Sequence, residues 1–402
     1  MILKAIRKWS AGWLAVLLLP AVSAWGQESP WEITGNLGVE SRWFWEAPQW
    51  PGQAEGVSGS LFSNLQFRWQ DDRQRIGIEP FWRLDSMDVN RSHWDLREAY
   101  WALEGDSWEI LLGVSRVFWG VTESRHLVDI INQADLVEDP DQEQKLGQAM
   151  ARLTLLNEWG DLEFFVMPHF RERTFPGRDG RFRPSPVIDE DRPIYESAAG
   201  STHVDVALRW SHYFGDADIG LSAFRGTGRS PKLVLEDDSD ELRPYYHQIS
   251  QLGIDLQYTR GPWLWKLETI VRQGFDDTFT AAVGGLEYTY FGIRNSAADV
   301  GLLVEYLRDG RGPSEPVTPF DNDLFIGSRV ALNDTQGSNL LLGIVMDMNE
   351  REWFFNLEAE RRIGQDWLIE GRLRVFHGSR HINQLSAFDS DDYAQLSLVK
   401  YF

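Results

Sequence analysis

Apolar residues fall on every second position through most of this chain. In Trp263-Leu-Trp-Lys-Leu-Glu-Thr-Ile-Val-Arg272, Trp263, Trp265, Leu267 and Val271 share one side, and Lys266, Glu268 and Arg272 the other. Period two is the strand repeat, because successive side chains point to opposite faces. The same alternation parts Phe355, Leu357 and Ala359 from Asn356, Glu358, Glu360 and Arg362. It parts Ile369, Leu373 and Val375 from Glu370, Arg372 and Arg374, and Ile76, Ile78, Pro80 and Trp82 from Arg75, Glu79 and Arg83. Strands are predicted over 31–43, 57–70, 74–85, 93–104, 107–118, 147–157, 161–170, 203–214, 217–226, 247–259, 263–275, 280–292, 298–308, 324–333, 338–348, 352–362, 366–377 and 391–402. Eighteen is the preferred count, with sixteen the alternative.

The breaks between these segments alternate in length. Those after even-numbered segments are short and rich in Gly, Asn, Asp and Pro, such as Gly215-Asp216 and Arg260-Gly-Pro262. These residues supply the positive or fixed φ that tight turns need. Breaks after odd-numbered segments are mostly long, at 44–56, 119–146, 171–202, 227–246, 309–323 and 378–390. Short turns at one end and long loops at the other are the polarity of a transmembrane antiparallel up-and-down β-barrel of the bacterial outer membrane. The fold class is therefore all-β. No internal repeat supports a propeller or solenoid.

Lipid then assigns the faces. An Arg or Lys at the bilayer midplane costs about 2–4 kcal/mol, so a slip by one residue would bury several charges in hydrocarbon on each strand. The predicted lumen-facing bases are Arg68, Arg75, Arg83, Arg152, Arg209, Lys266, Arg272, Arg329, Arg362, Arg372 and Arg374. The predicted lumen-facing acids are Glu79, Glu98, Asp205, Asp255, Glu268, Glu287, Glu305, Glu358, Glu360 and Glu370. The signs nearly balance. Two readings stand: a wet pore with opposed charged strips that orient a solute, or a charge-paired, largely closed lumen.

The chain opens with Lys4, Arg7 and Lys8, an apolar run from Trp13 to Leu19, and small residues at Val22-Ser23-Ala24. This is the layout of a cleaved secretory leader, too short in its apolar part to span a bilayer as a helix. Residues 1–26 are assigned to the leader and 27–402 to the barrel. At the other end Ala394, Leu396, Leu398 and Phe402 share one strand face. A terminal aromatic on such a strand resembles the signal read by barrel-assembly machinery, the expected partner at that end.

Composition narrows the partners. The full chain has 39 Lys+Arg against 61 Asp+Glu, a net charge of −22 that deepens by three when the leader leaves. That excludes nucleic acid, which needs a basic footprint. Nineteen Trp fit the two aromatic girdles of a membrane barrel, and the absence of Cys removes disulfides and thiolate metal sites. Mean hydropathy of −0.36 rules out a helical membrane protein but not a barrel, whose lumen dilutes the apolar signal. The expected partners are outer-membrane lipid, lipopolysaccharide and a small hydrophilic solute.

One loop differs from the rest. Between Trp119 and Pro140, Leu127, Ile130, Ile131, Ala134 and Val137 recur at helical spacing, which predicts a short helix of about three turns. Its apolar stripe needs cover, either on the inner wall or under neighbouring loops. Folded inward, it would narrow the pore and present Arg125, His126, Asp129, Asn132 and Asp135 to solute; folded outward, it would only stiffen the rim.

The strand end Gly113 to Gly120, Gly-x-Ser-Arg-x-x-Trp-Gly, followed by Asp129-Ile-Ile-Asn-x-x-Asp135, resembles uncharacterised proteobacterial outer-membrane porin-like barrels and, more distantly, the alginate-export barrels. The resemblance implies an outer-membrane channel of about eighteen strands. The near-balanced inward charges differ from the basic lumen that polyanion export implies, and no substrate residue is carried over.

No nucleophile elbow, zincin helix or P-loop is present. His169, His203 and His212 lack any supporting spacing for a lipase-like arrangement, and no catalytic residue is assigned. His377 and His381, with Asp389, Asp391 and Asp392 downstream, could hold a divalent metal, but loop His residues are read as plain solvated ones; the acidic run Glu236–Glu241 could take calcium and is read as a solvated loop. No metal or cofactor is expected. The sequence points to a channel for small hydrophilic solutes; a barrel enzyme of lipase or protease type and a closed structural or surface-binding barrel are the other classes considered.

Overall fold

The computed structural model describes residues 30–235, 240–275, 277–378 and 386–402. The leader, Glu236–Ser239 and His381 lie outside the described residues. The barrel strands are β1 (Trp31–Phe44), β2 (Val57–Gln70), β3 (Gln74–Asp85), β4 (Trp94–Glu104), β5 (Trp108–Ser115), β6 (Gln148–Leu155), β7 (Asp161–Met167), β8 (Asp205–Phe214) and β9 (Ala217–Thr227). They continue as β10 (Gln248–Arg260), β11 (Trp263–Gln273), β12 (Thr278–Tyr290), β13 (Asp299–Asp309), β14 (Asn322–Ala331), β15 (Asn339–Asp347), β16 (Trp353–Ile363), β17 (Trp367–His377) and β18 (Tyr393–Tyr401).

Each strand pairs antiparallel with the next, in one 18-stranded sheet. The ring closes where β1 meets β18, from Asn36 opposite Tyr401 to Phe44 opposite Tyr393. Closure leaves no free edge to recruit another chain. The two-residue turns work because Gly215 and Gly261 hold φ of 62° and 59°, which an L side chain resists. In β3 the register shifts between Glu79 and Pro80, a bulge that absorbs the missing proline N–H.

The outer surface carries the apolar set. Leu37, Val39, Ile78, Leu208, Leu252, Ile254, Leu267, Val304 and Leu398 are all exposed. Such a belt has no place in water and suits hydrocarbon. Trp31, Trp263, Trp367 and Tyr401 stand at its short-turn end, and Trp43, Trp45 and Trp94 at its long-loop end. The alternate positions, such as Glu40, Arg83, Glu268 and Glu305, are buried because the inside is filled.

The filling comes from the long loops, above all 116–147. The helix expected over 119–140 is not formed; the segment is irregular chain with short turns at 136–138 and 140–141 and two isolated bridges, Ala134 to Lys145 and Asp135 to Thr174. Leu127, Ile130, Ile131, Ala134 and Val137 are indeed buried, but so are Val128, Asn132, Gln133 and Asp135 between them. Burial on every side leaves no amphipathic stripe, so a helix gains nothing by presenting one. Leu127, Val128, Ile130 and Ile131 join Trp119, Phe165, Met167, Phe224, Ile270, Val283 and Leu303 in one cluster against the inner wall. Over the long-loop end, Lys232–Leu235 pairs antiparallel with Glu241–Tyr246, which in turn takes Val187–Ile188 and Ile194–Tyr195 in parallel.

Candidate functional site

Loop 116–147 leaves the wall at the end of β5 and returns at the start of β6, where Ser115 and Gln148 are cross-strand partners. Asn132 ties the two ends. Its amide donates to the carbonyls of Ser115 (2.9 Å) and Leu146 (2.8 Å), and its oxygen accepts from the Val117 N–H (2.8 Å). Arg116 reaches back to Glu79 (2.5 Å) on β3.

The loop backbone then crosses to wall carboxylates. Glu268 on β11 accepts from the amides of Val121 (2.8 Å), Thr122 (3.1 Å) and Val128 (3.2 Å), and from the Thr122 hydroxyl (2.8 Å). Glu305 on β13 accepts from the amides of Glu123 and Ser124, each at 2.8 Å, and from the Ser124 hydroxyl (2.6 Å). These amides are donors that a helix start would leave unpaired or cap locally. Ionised acceptors on the wall satisfy them more strongly, which explains the irregular path. Arg329 on β14 holds Glu123 at 2.6 Å.

The far end of the loop is gripped from the other side of the barrel. Arg83 on β3 makes paired bonds to Glu138 at 2.8 Å and also contacts Glu40 (3.2 Å) on β1. Arg91 bonds Glu40 and Asp85 at 2.8 Å each, and its Nε donates to the Val137 carbonyl (3.0 Å). Arg372 and Arg374 on β17 both pair with Asp139, and Arg374 also bonds Asp141 at 2.5 Å. One loop is thus fixed to β1, β3, β11, β13, β14 and β17.

The loop's own acids and bases are shifted accordingly. Burial pulls the His126 imidazole down, but the carboxylates of Glu143 (3.3 Å) and Glu268 (3.7 Å) beside it outweigh that and carry its pKa up to about 10. Asp135 resists the upward push of burial and falls to about 2, held by His93 and Arg97. Burial and the neighbouring Asp139 push Asp141 up to about 6.

Four of the five loop residues read from the sequence share one cavity of about 130 Å³ on the long-loop side: Arg125, His126, Asp129 and Asn132. Arg125 contacts Asp309 (3.3 Å) and the Phe320 carbonyl (3.1 Å). Asp129 takes Lys145 at 3.0 Å. Asp135 lies apart, fully buried against Arg97 (2.7 Å) and Thr174 (2.7 Å). Of the wall residues, Arg75 pairs with Glu104 (2.8 Å) and Glu109, Glu98 faces Arg116 (3.8 Å), and Arg209 forks onto Asp255 (2.7 and 2.8 Å). Lys266 sits 3.8 Å from Glu123, and Arg272 bonds Gln251. Glu358 meets Arg372 (3.0 Å), and Glu360 accepts from Asn339 (2.9 Å). Glu370, with Glu358, Glu360 and Arg372, lines a cavity of about 320 Å³ at the short-turn end; a second there, of about 420 Å³, is bordered by Trp119, Arg209 and Asp255. Arg362 is exposed near that end.

Sequence reasoning missed several participants. Glu40 and Arg42 obey the same strand parity and were open to it. Glu138, Asp139, Arg91, Arg173 and Arg311 come from loops, where no parity operates. Asp323 and Asp347 are cross-strand partners near Asp321, a juxtaposition only the register reveals. The loop acids raised as ligand candidates are already engaged: Asp391 pairs with Arg181 (2.8 Å), Asp392 accepts from the Phe376 N–H (2.7 Å) and Asp389 from the Gly378 N–H (2.7 Å).

No protein-family model matches this chain, and no curated protein matches it. Solved structures do. A BenF-like porin from Pseudomonas fluorescens Pf-5 superposes with a TM-score of 0.53 at 11% identity, over 92% of this chain and 97% of the porin. The solved structures that this chain resembles are outer-membrane porin-like barrels. Wzi of Escherichia coli, an outer-membrane protein of group 1 capsule assembly described as a carbohydrate-binding β-barrel, gives 0.52 at 10% identity, over 90% and 83%. OccAB1 of Acinetobacter baumannii gives 0.51 at 8% identity, over 92% and 95%. At such identities the likeness is one of fold.

Proposed function

We propose that this chain is a channel of the bacterial outer membrane that passes small hydrophilic solutes, with loop 116–147 as its constriction. The observation that carries this reading is the placement of that loop across a polar lumen, with water-sized space on both sides of it. A loop that only stiffened the rim would not bridge β3 to β11. The porins among the structural neighbours support the same reading, as does the apolar belt with its two aromatic girdles. In this orientation the short turns face the periplasm and the long loops the exterior.

Residues 1–26 are removed during export, the last strand is delivered to barrel-assembly machinery, and lipid with lipopolysaccharide surrounds the belt. The likeness of Gly113–Gly120 and Asp129–Asp135 to porin-like and alginate-export barrels belongs with this proposal. Catalysis is not part of it. The test is single-channel recording of the purified mature chain in planar bilayers, beside a variant lacking 123–138. Stable current that grows on deletion supports the constriction; current that the deletion leaves unchanged removes it.

The closed barrel is the second reading, favoured by the near-complete burial of the Arg83–Glu138 and Arg374–Asp139 pairs. It predicts no stable current from the intact chain.

A further inference from the structure

The cavity of about 130 Å³ on the long-loop side has an imbalance of charge that its own walls do not settle. Three carboxylates line it, and each is engaged. Asp129 holds Lys145 (3.0 Å), Asp141 holds Arg374 (2.5 Å) and Glu143 faces His126 (3.3 Å). Among the bases, Arg229 is matched by Asp205 at 2.7 Å, while Arg125 and Arg311 share the single carboxylate of Asp309, at 3.3 and 2.7 Å.

Two guanidiniums remain. Arg173 donates from Nε to the Gln133 side-chain oxygen (3.1 Å) and from Nη2 to the Ser230 hydroxyl (3.4 Å). Arg272 donates from Nε (2.8 Å) and Nη2 (2.5 Å) to the Gln251 oxygen. Neither has a carboxylate partner among the described residues. Glu315, in the loop between β13 and β14, accepts from the Phe275 amide at 2.7 Å. Phe279 lies between Arg272 and Arg311, with ring-to-guanidinium distances of 5.8 and 5.2 Å, and so steadies both heads.

A half-buried guanidinium without a counter-charge is costly, and neutral acceptors repay only part of its hydration. Each of the two keeps an Nη1 with no partner among the described residues. Planar donors that present paired N–H groups match carboxylate and phosphate oxygens, and arginines set around a narrow passage select anions.

We propose that this cavity binds a small oxyanion, the carboxylate or phosphate group of a solute, through Arg173 and Arg272 with Arg125 and Arg311 behind them. Solute passage rests on the channel reading; the site itself does not. Arg125 enters the site from loop 116–147, so a bound oxyanion would touch the proposed constriction.

The test pairs calorimetric titration of the detergent-purified mature chain with bilayer recording, using succinate and inorganic phosphate as probes and choline and glucose as controls. Succinate or phosphate is expected to bind, choline and glucose not, and the reversal potential in a KCl gradient is expected to show anion preference. The double variant R173Q/R272Q is expected to weaken oxyanion binding about tenfold or more, the scale of one charge-assisted bond. R173K/R272K, which keeps the charge, is expected to restore part of that loss. Heat-dependent gel mobility reports that each variant is folded. Oxyanion binding equal in wild type and glutamine variant, equal uptake of choline, or no binding by a folded wild type each overturns the site. Arginine-dependent binding without current would keep the site and remove the channel; current without oxyanion binding or anion preference would keep the channel and remove the site.

Discussion

Glu268→Gln isolates the force that holds the constriction loop. The wild-type carboxylate is fully buried and accepts four hydrogen bonds from residues 121–128. The amide has nearly the same shape but no charge. Its oxygen can serve one set of donors, at neutral rather than charge-assisted strength. Its NH2 then meets another donor, because the Val128 N–H lies 3.2 Å from the second carboxylate oxygen. His126 loses a counter-charge 3.7 Å away as well. Removing one partner of a buried charged pair costs about 3–5 kcal/mol. Three kcal/mol of that, spent on local opening, corresponds to a change of roughly 100-fold in exchange protection. Hydrogen–deuterium exchange resolved to peptides over 117–130 reads it directly. Val121, Thr122 and Val128 should lose about two orders of magnitude of protection, while amides in β10 and β12 stay protected. Unchanged exchange at those three amides would show that the ionised acceptor does not anchor the loop.

Other outcomes follow from the same geometry. Arg374→Met leaves the buried Asp139 with Arg372 and takes from Asp141 its ion-pair partner among the described residues; a loss of about 3–5 kcal/mol is expected in urea unfolding followed by Trp fluorescence, and a loss below about 1 kcal/mol would contradict it. His126 is raised from 6.5 to about 10, so its stabilising contribution is complete below 6.5 and disappears as pH rises through 10. Exchange at Thr122 should therefore speed between pH 7 and 10 beyond the intrinsic base-catalysed rate in wild type, and His126→Gln should flatten that excess. Asp135, lowered to about 2, stabilises above 3.8 and loses its effect as pH falls through 2; Asp135→Asn should remove that acid sensitivity from the unfolding midpoint. Gly261→Val forces a β-branched side chain to φ near 59° where no neighbour is within 4 Å, so the cost is conformational alone, about 1–2 kcal/mol by thermal unfolding.

Much of the fold was legible because lipid and water impose one rule on every strand. Each of the eighteen predicted segments overlaps a strand, and the turns at Gly215 and Gly261 fall where their residues demand them. Segment 107–118 was read too long, since β5 stops at Ser115 and Arg116 turns inward to Glu79. The helix was misread because spacing is a weak signal when all sides are buried. The wall acids that captured the loop amides lie about 140 to 180 residues away in sequence, beyond the reach of local pattern. Short strands such as Val187–Ile188 and Ile194–Tyr195 carry too few residues to show a period. Arg173 and Arg311 stayed hidden for a different reason: a loop residue has no parity, so only the assembled cavity shows what it faces.

The anchoring of loop 116–147 to both β3 and β11 has a mechanical consequence. A ring of eighteen strands without internal bracing can flatten under lateral pressure, since its hydrogen bonds run around the circumference and resist stretching better than bending. A strut across the diameter removes that freedom. Shifts in membrane tension or thickness would then reach the aperture as tilt of the whole cylinder and not as ovalisation, and cutting the strut at either end would return the missing degree of freedom.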